Sequence, residues 1–194
     1  MTRLEKWLIN RASKAERNIA RIDQRLAELS AHSITNVLEL GCGIGAVAAY
    51  LAQNYNMHVW GTDTDPAQIH IARQRYPETA HLTYRVEDAA NLSFEDADFD
   101  LVVSQNVFHH MVKWQSAVRE IARVLKEGGY LLWLDLAFPK WIAQPFRPLV
   151  KQHGLYCISE AKSVFSLQGF EQLFHKSRTH GLFSQHHIVW QKKG

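Results

Sequence analysis

The sequence has little cysteine: Cys42 and Cys157 are the whole complement among its 194 residues. Two isolated thiols supply neither a disulfide framework nor a paired metal-binding motif, and they favour a reducing compartment. The cytoplasm is therefore the expected location. Long apolar runs are also missing. None approaches the roughly 20 residues that cross a bilayer, and the opening MTRLEKWLIN lacks the apolar stretch of a signal peptide, so no membrane is expected as a partner. Charge of one sign is scarce too. A net excess of +3 is too small for the dense basic stripe of a nucleic-acid surface, and nucleic acid is not an expected partner. There is no internal repeat and no low-complexity tract, which excludes a solenoid or an extended array. What is left, 46% hydrophobic and 21% charged residues, is the composition of one ordinary domain with a single core.

Charge and hydropathy are nevertheless patterned. Residues 1–30 carry seven basic side chains and four acidic ones, which is the whole net excess. In the same stretch Leu8, Ala12, Ala15, Ile19, Ile22, Leu26 and Leu29 recur every three or four residues. That spacing predicts an amphipathic N-terminal helix packed on the domain with its basic side in water. From Asn36 onward, β-rich runs (NVLEL, HVWGTD, LTYRVED, FDLVVS, GYLLWLD) alternate with helical patterns (GAVAAYLAQNY, PAQIHIARQRY, WQSAVREIARVLK). Right-handed crossovers bring such strands back parallel, so the expected class is α/β, a doubly wound, mostly parallel sheet with helices on both faces. Pro66 after Asp65 suits a helix start. Gly128 and Gly129 suit a stop after a helix ending at Lys126. One domain is expected: the helix (1–30), a core (34–135), an insertion (136–165), and a closing helix, LQGFEQLFHKS, with a last strand, HHIVWQKK (166–194). The aromatics Phe138, Trp141, Phe146, Tyr156 and Phe165 of the insertion read equally as an apolar lid or as core.

The chemistry concentrates at strand ends. VLELGCGIG, Val37 to Gly45, is a strand entering a glycine-rich turn, where glycines allow positive φ angles and close approach of a ligand to the free N–H groups of the following helix. Asp63 ends the second strand about twenty residues on, where a carboxylate can accept from both hydroxyls of a ribose. Asp65, just before Pro66, suits an N-cap. Asp88 ends the third strand on the same carboxyl edge and can accept from an adenine amino group beside the backbone of Ala89, or can simply cap its own loop. Together these residues point to a nucleoside-containing cofactor.

At this point the chain resembles the class I S-adenosylmethionine-dependent methyltransferases, in the small-molecule, type 11/25-like branch, over residues 34–135. VLELGCGIG looks like the family's first motif, GTDTDP like its acidic second motif, VEDAANLSFEDADFDLVVS like its adenine loop and fourth strand, and LKEGGYLLW like the turn into the fifth. The resemblance implies a Rossmann-like sheet of seven strands closed by an antiparallel one. With about a dozen residues after His180, a reduced sixth or seventh strand is expected. It implies that Glu39, Gly41, Cys42 and Gly43 surround the methionine part of S-adenosylmethionine, that Asp63 with Thr64 holds the ribose, that Asp88 and Ala89 contact adenine, and that Gln105 flanks the methionine moiety. The activity implied is direct in-line methyl transfer to a small organic acceptor, in which positioning can supply most of the catalysis. His109 and His110, in SQNVFHHM, are the candidates for a general base.

Two other readings stand beside this one. GCGIGA also fits the looser dinucleotide pattern of an NAD-dependent oxidoreductase, with Asp63 on the adenosine ribose; Glu39, Asp88 and LKEGGY favour the methyl donor. A noncatalytic cofactor-binding module could use its basic helix to engage a protein or RNA. No NPPY-like motif follows the fourth strand and no Pro-Cys nucleophile occurs, which disfavours nucleic-acid methylation. His175, His180, His186 and His187 lack a metal-site arrangement, and no metal is expected. Cys42 has no activating base nearby.

Overall fold

In the computed structural model, described for residues 12–29, 34–146, 150 and 153–194, the chain has a Rossmann-like α/β fold. Six helices and seven strands are present among the described residues: α1 (Ala12–Glu28), β1 (Asn36–Leu40), α2 (Ala46–Asn54), β2 (His58–Asp63), α3 (Pro66–Arg75), β3 (Leu82–Val86), β4 (Phe99–Gln105), α4 (Trp114–Val124), β5 (Leu125–Ala137), α5 (Lys140–Phe146), α6 (Ile158–Leu167), β6 (Phe170–His180) and β7 (Phe183–Lys192). A 3-10 turn covers Phe108–His110. The strands fall into two compact units, one ending at Glu87 and the other beginning at Asp88.

In the first unit β2 lies between β1 and β3, all parallel, with Leu40 opposite Thr62 and Asp63 opposite Val86. The shared direction follows from the βαβ crossovers through α2 and α3. Val37, Leu38, Leu40, Leu51, Val59 and Tyr84 are buried, and β1 is buried from Val37 to Leu40 with Glu39 included, as a strand covered on both faces is. The predicted N-terminal helix is present as α1 from Ala12; residues 1–11 and 30, with Leu8, lie outside the described residues. Ile22 and Leu26 are buried, and Asp23 accepts hydrogen bonds from the hydroxyls of Tyr50 (2.8 Å) and Tyr55 (2.9 Å). The helix is thus packed on α2 of its own unit, as its apolar stripe predicts.

The second unit orders its strands β4-β5-β7-β6. β4 and β5 are parallel, while β7 runs against both of its neighbours. Here three expectations are corrected. Neither of the last two strands is reduced: β6 has 11 residues and β7 has 10. The segment LQGFEQLFHKS is not a helix. Gly169, at φ +82°, ends α6, and Phe170–His180 pairs along β7. The period of Leu167, Phe170, Leu173 and Phe174 resembled a helix because β6 pairs on one side only and buries little beyond Phe170, so no two-residue alternation marks it. Finally, α4 stops at Val124, and Gly128 and Gly129 lie inside β5. A side chain on Gly129 would meet the Lys126 carbonyl at 2.8 Å, which gives that glycine a reason unrelated to capping. In the insertion, Tyr156 and Phe165 are fully buried among Trp114, Trp133 and Trp190, whereas Trp141 and Phe146 are exposed; residues 147–149 and 151–152 lie outside the described residues.

Candidate active site

The first unit supplies a preformed loop. Gly41, Gly43 and Gly45 adopt φ angles of +67°, +55° and +80°, a left-handed conformation that costs any other L-residue about 1–2 kcal/mol. Gly45 is the N-cap of α2, whose alanine-rich start makes a regular helix from that point. A Cβ at Gly45 would lie 2.5 Å from the Tyr84 hydroxyl. That hydroxyl donates to the Gly45 carbonyl at 3.2 Å, so the buried Tyr84 ring holds the turn from beneath. The Gly43 N–H donates to Asp63 Oδ2 at 3.0 Å and the Asp65 N–H to Oδ1 at 2.9 Å, fixing the carboxylate plane between loop and strand end. Asp65 accepts from the Ala67 N–H and caps α3, in the role its place before Pro66 predicts. Thr64 is exposed beside them.

Glu39 is 5% exposed, and its Oε2 has no hydrogen-bond partner among the described residues. Burial pushes its carboxyl up to about 8, against a lowering from the Ala48 backbone N–H and with a further rise from Asp63. A buried acid left in this state is complementary to a cation. The neighbouring Cys42 thiol is also pushed well up, by burial and then by Glu39 and Asp63, so it is held as an inert thiol.

The second unit contains Asp88, Ala89, Gln105, His109 and His110. Asp88 is exposed, and Oδ1 accepts from the Ala90 N–H at 2.9 Å, the local loop cap named as the alternative to an adenine contact; Ala89 is buried. The loop they open is clasped by α4. Glu120 accepts the Leu92 N–H, and Arg123 donates to the carbonyls of Leu92 and Phe94 and to Asp96. Gln105 ends β4, and Asn106, at φ +59°, turns the chain into the 3-10 turn that carries the two histidines. Their rings lie 4.0 Å apart, and His110 is 5.7 Å from His153. His153 also lines an open cleft of about 320 Å³ with Val112, Trp114 and Leu155.

A residue not singled out from the sequence joins this group. Asp135, fully buried on β5, accepts from the N–H groups of Val107 (2.9 Å) and Phe108 (2.7 Å), and lies 2.6 Å from Nδ1 of His109. The register explains the placement: Gln105 pairs with Leu134, so the next residue of β5 faces the turn leaving β4. An available signal was that Asp135 ends the apolar run GYLLWLD as Asp63 ends HVWGTD; in the structure β5 continues past it to Ala137. Elsewhere, Lys162, His175 and His186 form a hydrogen-bonded row. Among the described residues no group of three His, Cys, Asp or Glu side chains could hold a metal ion, and no helix is long and apolar enough to cross a membrane.

Comparison with known proteins points to one family. A family profile described as "Methyltransferase domain" matches residues 38–133, about half of the chain. The chain is 38% identical over 101 residues to 2-methyl-6-phytyl-1,4-hydroquinone methyltransferase of Synechocystis, covering 52% of this chain and 32% of that protein. It is 28% identical over 169 residues to methyltransferase GfsG of Streptomyces halstedii, covering 86% and 59%. The chain thus spans less than two thirds of the length of these curated relatives. Among solved structures, phosphoethanolamine N-methyltransferase 2 of Haemonchus contortus, in complex with S-adenosyl-L-methionine, superimposes with a TM-score of 0.76 at 18% identity, covering 92% of this chain and 53% of that one.

Proposed function

The chain belongs to the class I S-adenosylmethionine-dependent methyltransferase superfamily, and on that premise we propose that it is an enzyme that methylates a small organic acceptor. The observation that carries the reading is the buried Glu39, its Oε2 without a hydrogen-bond partner among the described residues, beside three left-handed glycines. A methionine moiety brings an ammonium group that meets Glu39, whereas a dinucleotide would bring a pyrophosphate dianion toward a buried acid. In this reading Gly41, Cys42 and Gly43 offer backbone to the methionine part with Gln105 flanking it, Asp63 with Thr64 takes the ribose, and Asp88 with Ala89 takes adenine. Bound there, S-adenosylmethionine supplies an electrophilic sulfonium methyl group. The name of the Synechocystis relative, a hydroquinone methyltransferase, supports a small acceptor rather than nucleic acid, and the cleft beside His153 has room for one. His109 and His110 are the proposed bases. Free, buried Cys42 and Cys157 support a cytoplasmic setting.

Calorimetry tests the donor. S-adenosylhomocysteine should bind with a micromolar dissociation constant and NAD(H) should not bind measurably; the reverse result would sink the assignment.

A further inference from the structure

We propose that Asp135 is a positioning residue that holds His109 as proton acceptor for a hydroxyl-bearing acceptor molecule, so that the reaction is O-methylation; this rests on the methyl-transfer reading above. Both oxygens of Asp135 are engaged by donors. Val107 and Phe108 N–H groups point at Oδ2, and the Leu136 N–H and His109 Nδ1 at Oδ1. A carboxylate surrounded by three backbone N–H groups can only accept, so the proton of the fourth contact belongs to Nδ1 of His109. That choice fixes the tautomer and leaves Nε2 as the ring's basic atom. Nε2 has no hydrogen-bond donor among the described residues, and the ring is 17% exposed while Asp135 is wholly buried. The orientation is held from both sides. The His109 carbonyl accepts from the Gly154 N–H at 3.0 Å, and any side chain on Gly154 would strike the Phe108 and Met111 carbonyls. The other titratable groups around the ring are His110, tilted against it, His153 beyond that, and Tyr156, whose phenol is pushed up by burial and by Asp135.

An amine can shed its proton to water before reacting and a carboxylate carries none, but an alcohol or phenol needs a base as its oxygen attacks. The acceptor oxygen gives its proton to Nε2 while its lone pair forms the bond to the methyl carbon. The electron pair of the C–S bond leaves with the neutral thioether, and His109 later returns the proton to water. Asp135 balances the charge that the ring carries in between.

The first test needs no acceptor. In the full chain, nitrogen-15 imidazole shifts at neutral pH should show His109 protonated at Nδ1 and bare at Nε2, and Asp135→Asn, which offers an N–H in place of an oxygen, should move the proton to Nε2. A wild-type ring protonated at Nε2, or one indifferent to D135N, overturns the proposal. The second uses hydroquinone, a long-chain fatty acid and phosphoethanolamine as probes with S-adenosylmethionine. Hydroquinone turnover should fall about a hundredfold or more in D135N with KM unchanged, and D135N should add nothing to His109→Ala. Hydroquinone turnover insensitive to D135N, additive losses, or turnover of only the acid or the amine would overturn it, as would no turnover at all by a chain that binds S-adenosylhomocysteine. Failure to bind that product would instead remove the donor reading and leave the tautomer result standing.

Discussion

Replacing Gly45 with alanine separates two costs that meet at one atom. The first is the backbone: φ is +80°, and holding an L-side chain there costs about 1–2 kcal/mol. The second is space. The new Cβ would stand 2.5 Å from the Tyr84 hydroxyl and 2.8 Å from two of its ring carbons. Because that ring is fully buried and hydrogen-bonded to the Gly45 carbonyl, it cannot swing away, and overpacking of this kind costs about 1–3 kcal/mol. Gly45→Ala should therefore destabilise the chain by roughly 2–5 kcal/mol. In a Tyr84→Leu background the clash disappears and only the backbone cost survives, so the same substitution should cost about 1–2 kcal/mol there. Urea denaturation followed by tryptophan fluorescence, on the wild type, both single variants and the double variant, measures the difference as a coupling energy. If Gly45→Ala costs the same in both backgrounds, the ring does not support the turn, and this account of the loop is refuted.

Two pH experiments follow from buried ionisable groups. Glu39 holds its proton to about pH 8 when folded, against the usual 4.5 when unfolded, so the folded state binds more protons across that window and stability falls as pH rises through it. Glu39→Gln should match the wild type near pH 4.5 and become progressively more stable toward pH 8, by at most about 1.4 kcal/mol per pH unit; parallel denaturation curves for the two proteins would contradict the burial argument. His186 shows the opposite sign. Burial, His175 and Lys162 depress it from 6.5 to about 4, so its stabilising effect is complete above pH 6.5 and is lost as pH falls toward 4. Denaturation midpoints of His186→Asn should be flatter than those of the wild type over that interval.

Much of this was legible in the chain because it depends on short spans. The strands NVLEL and HVWGTD are β1 and β2 residue for residue, since each is a short apolar run bounded by a turn or loop. Asp65 and Pro66 marked a helix start that the structure keeps. The misjudged segment, Phe170–His180, lacked any local signature because its conformation is set by the partner strand. Asp135 lacked a local signature for a related reason: a single acid in an apolar run gains its meaning only from what lies across the sheet.

By itself, then, the sequence determined the alternation of elements, the glycine turn and the acid that closes β2, because φ preference, capping and hydrophobic period act over a few residues. Tertiary structure alone decided that Tyr84 sits under Gly45, that Glu39 is sealed from water, and that Asp135 meets His109 from 26 residues away. These are facts of register and burial, which arise only when strands distant in sequence pair and exclude solvent.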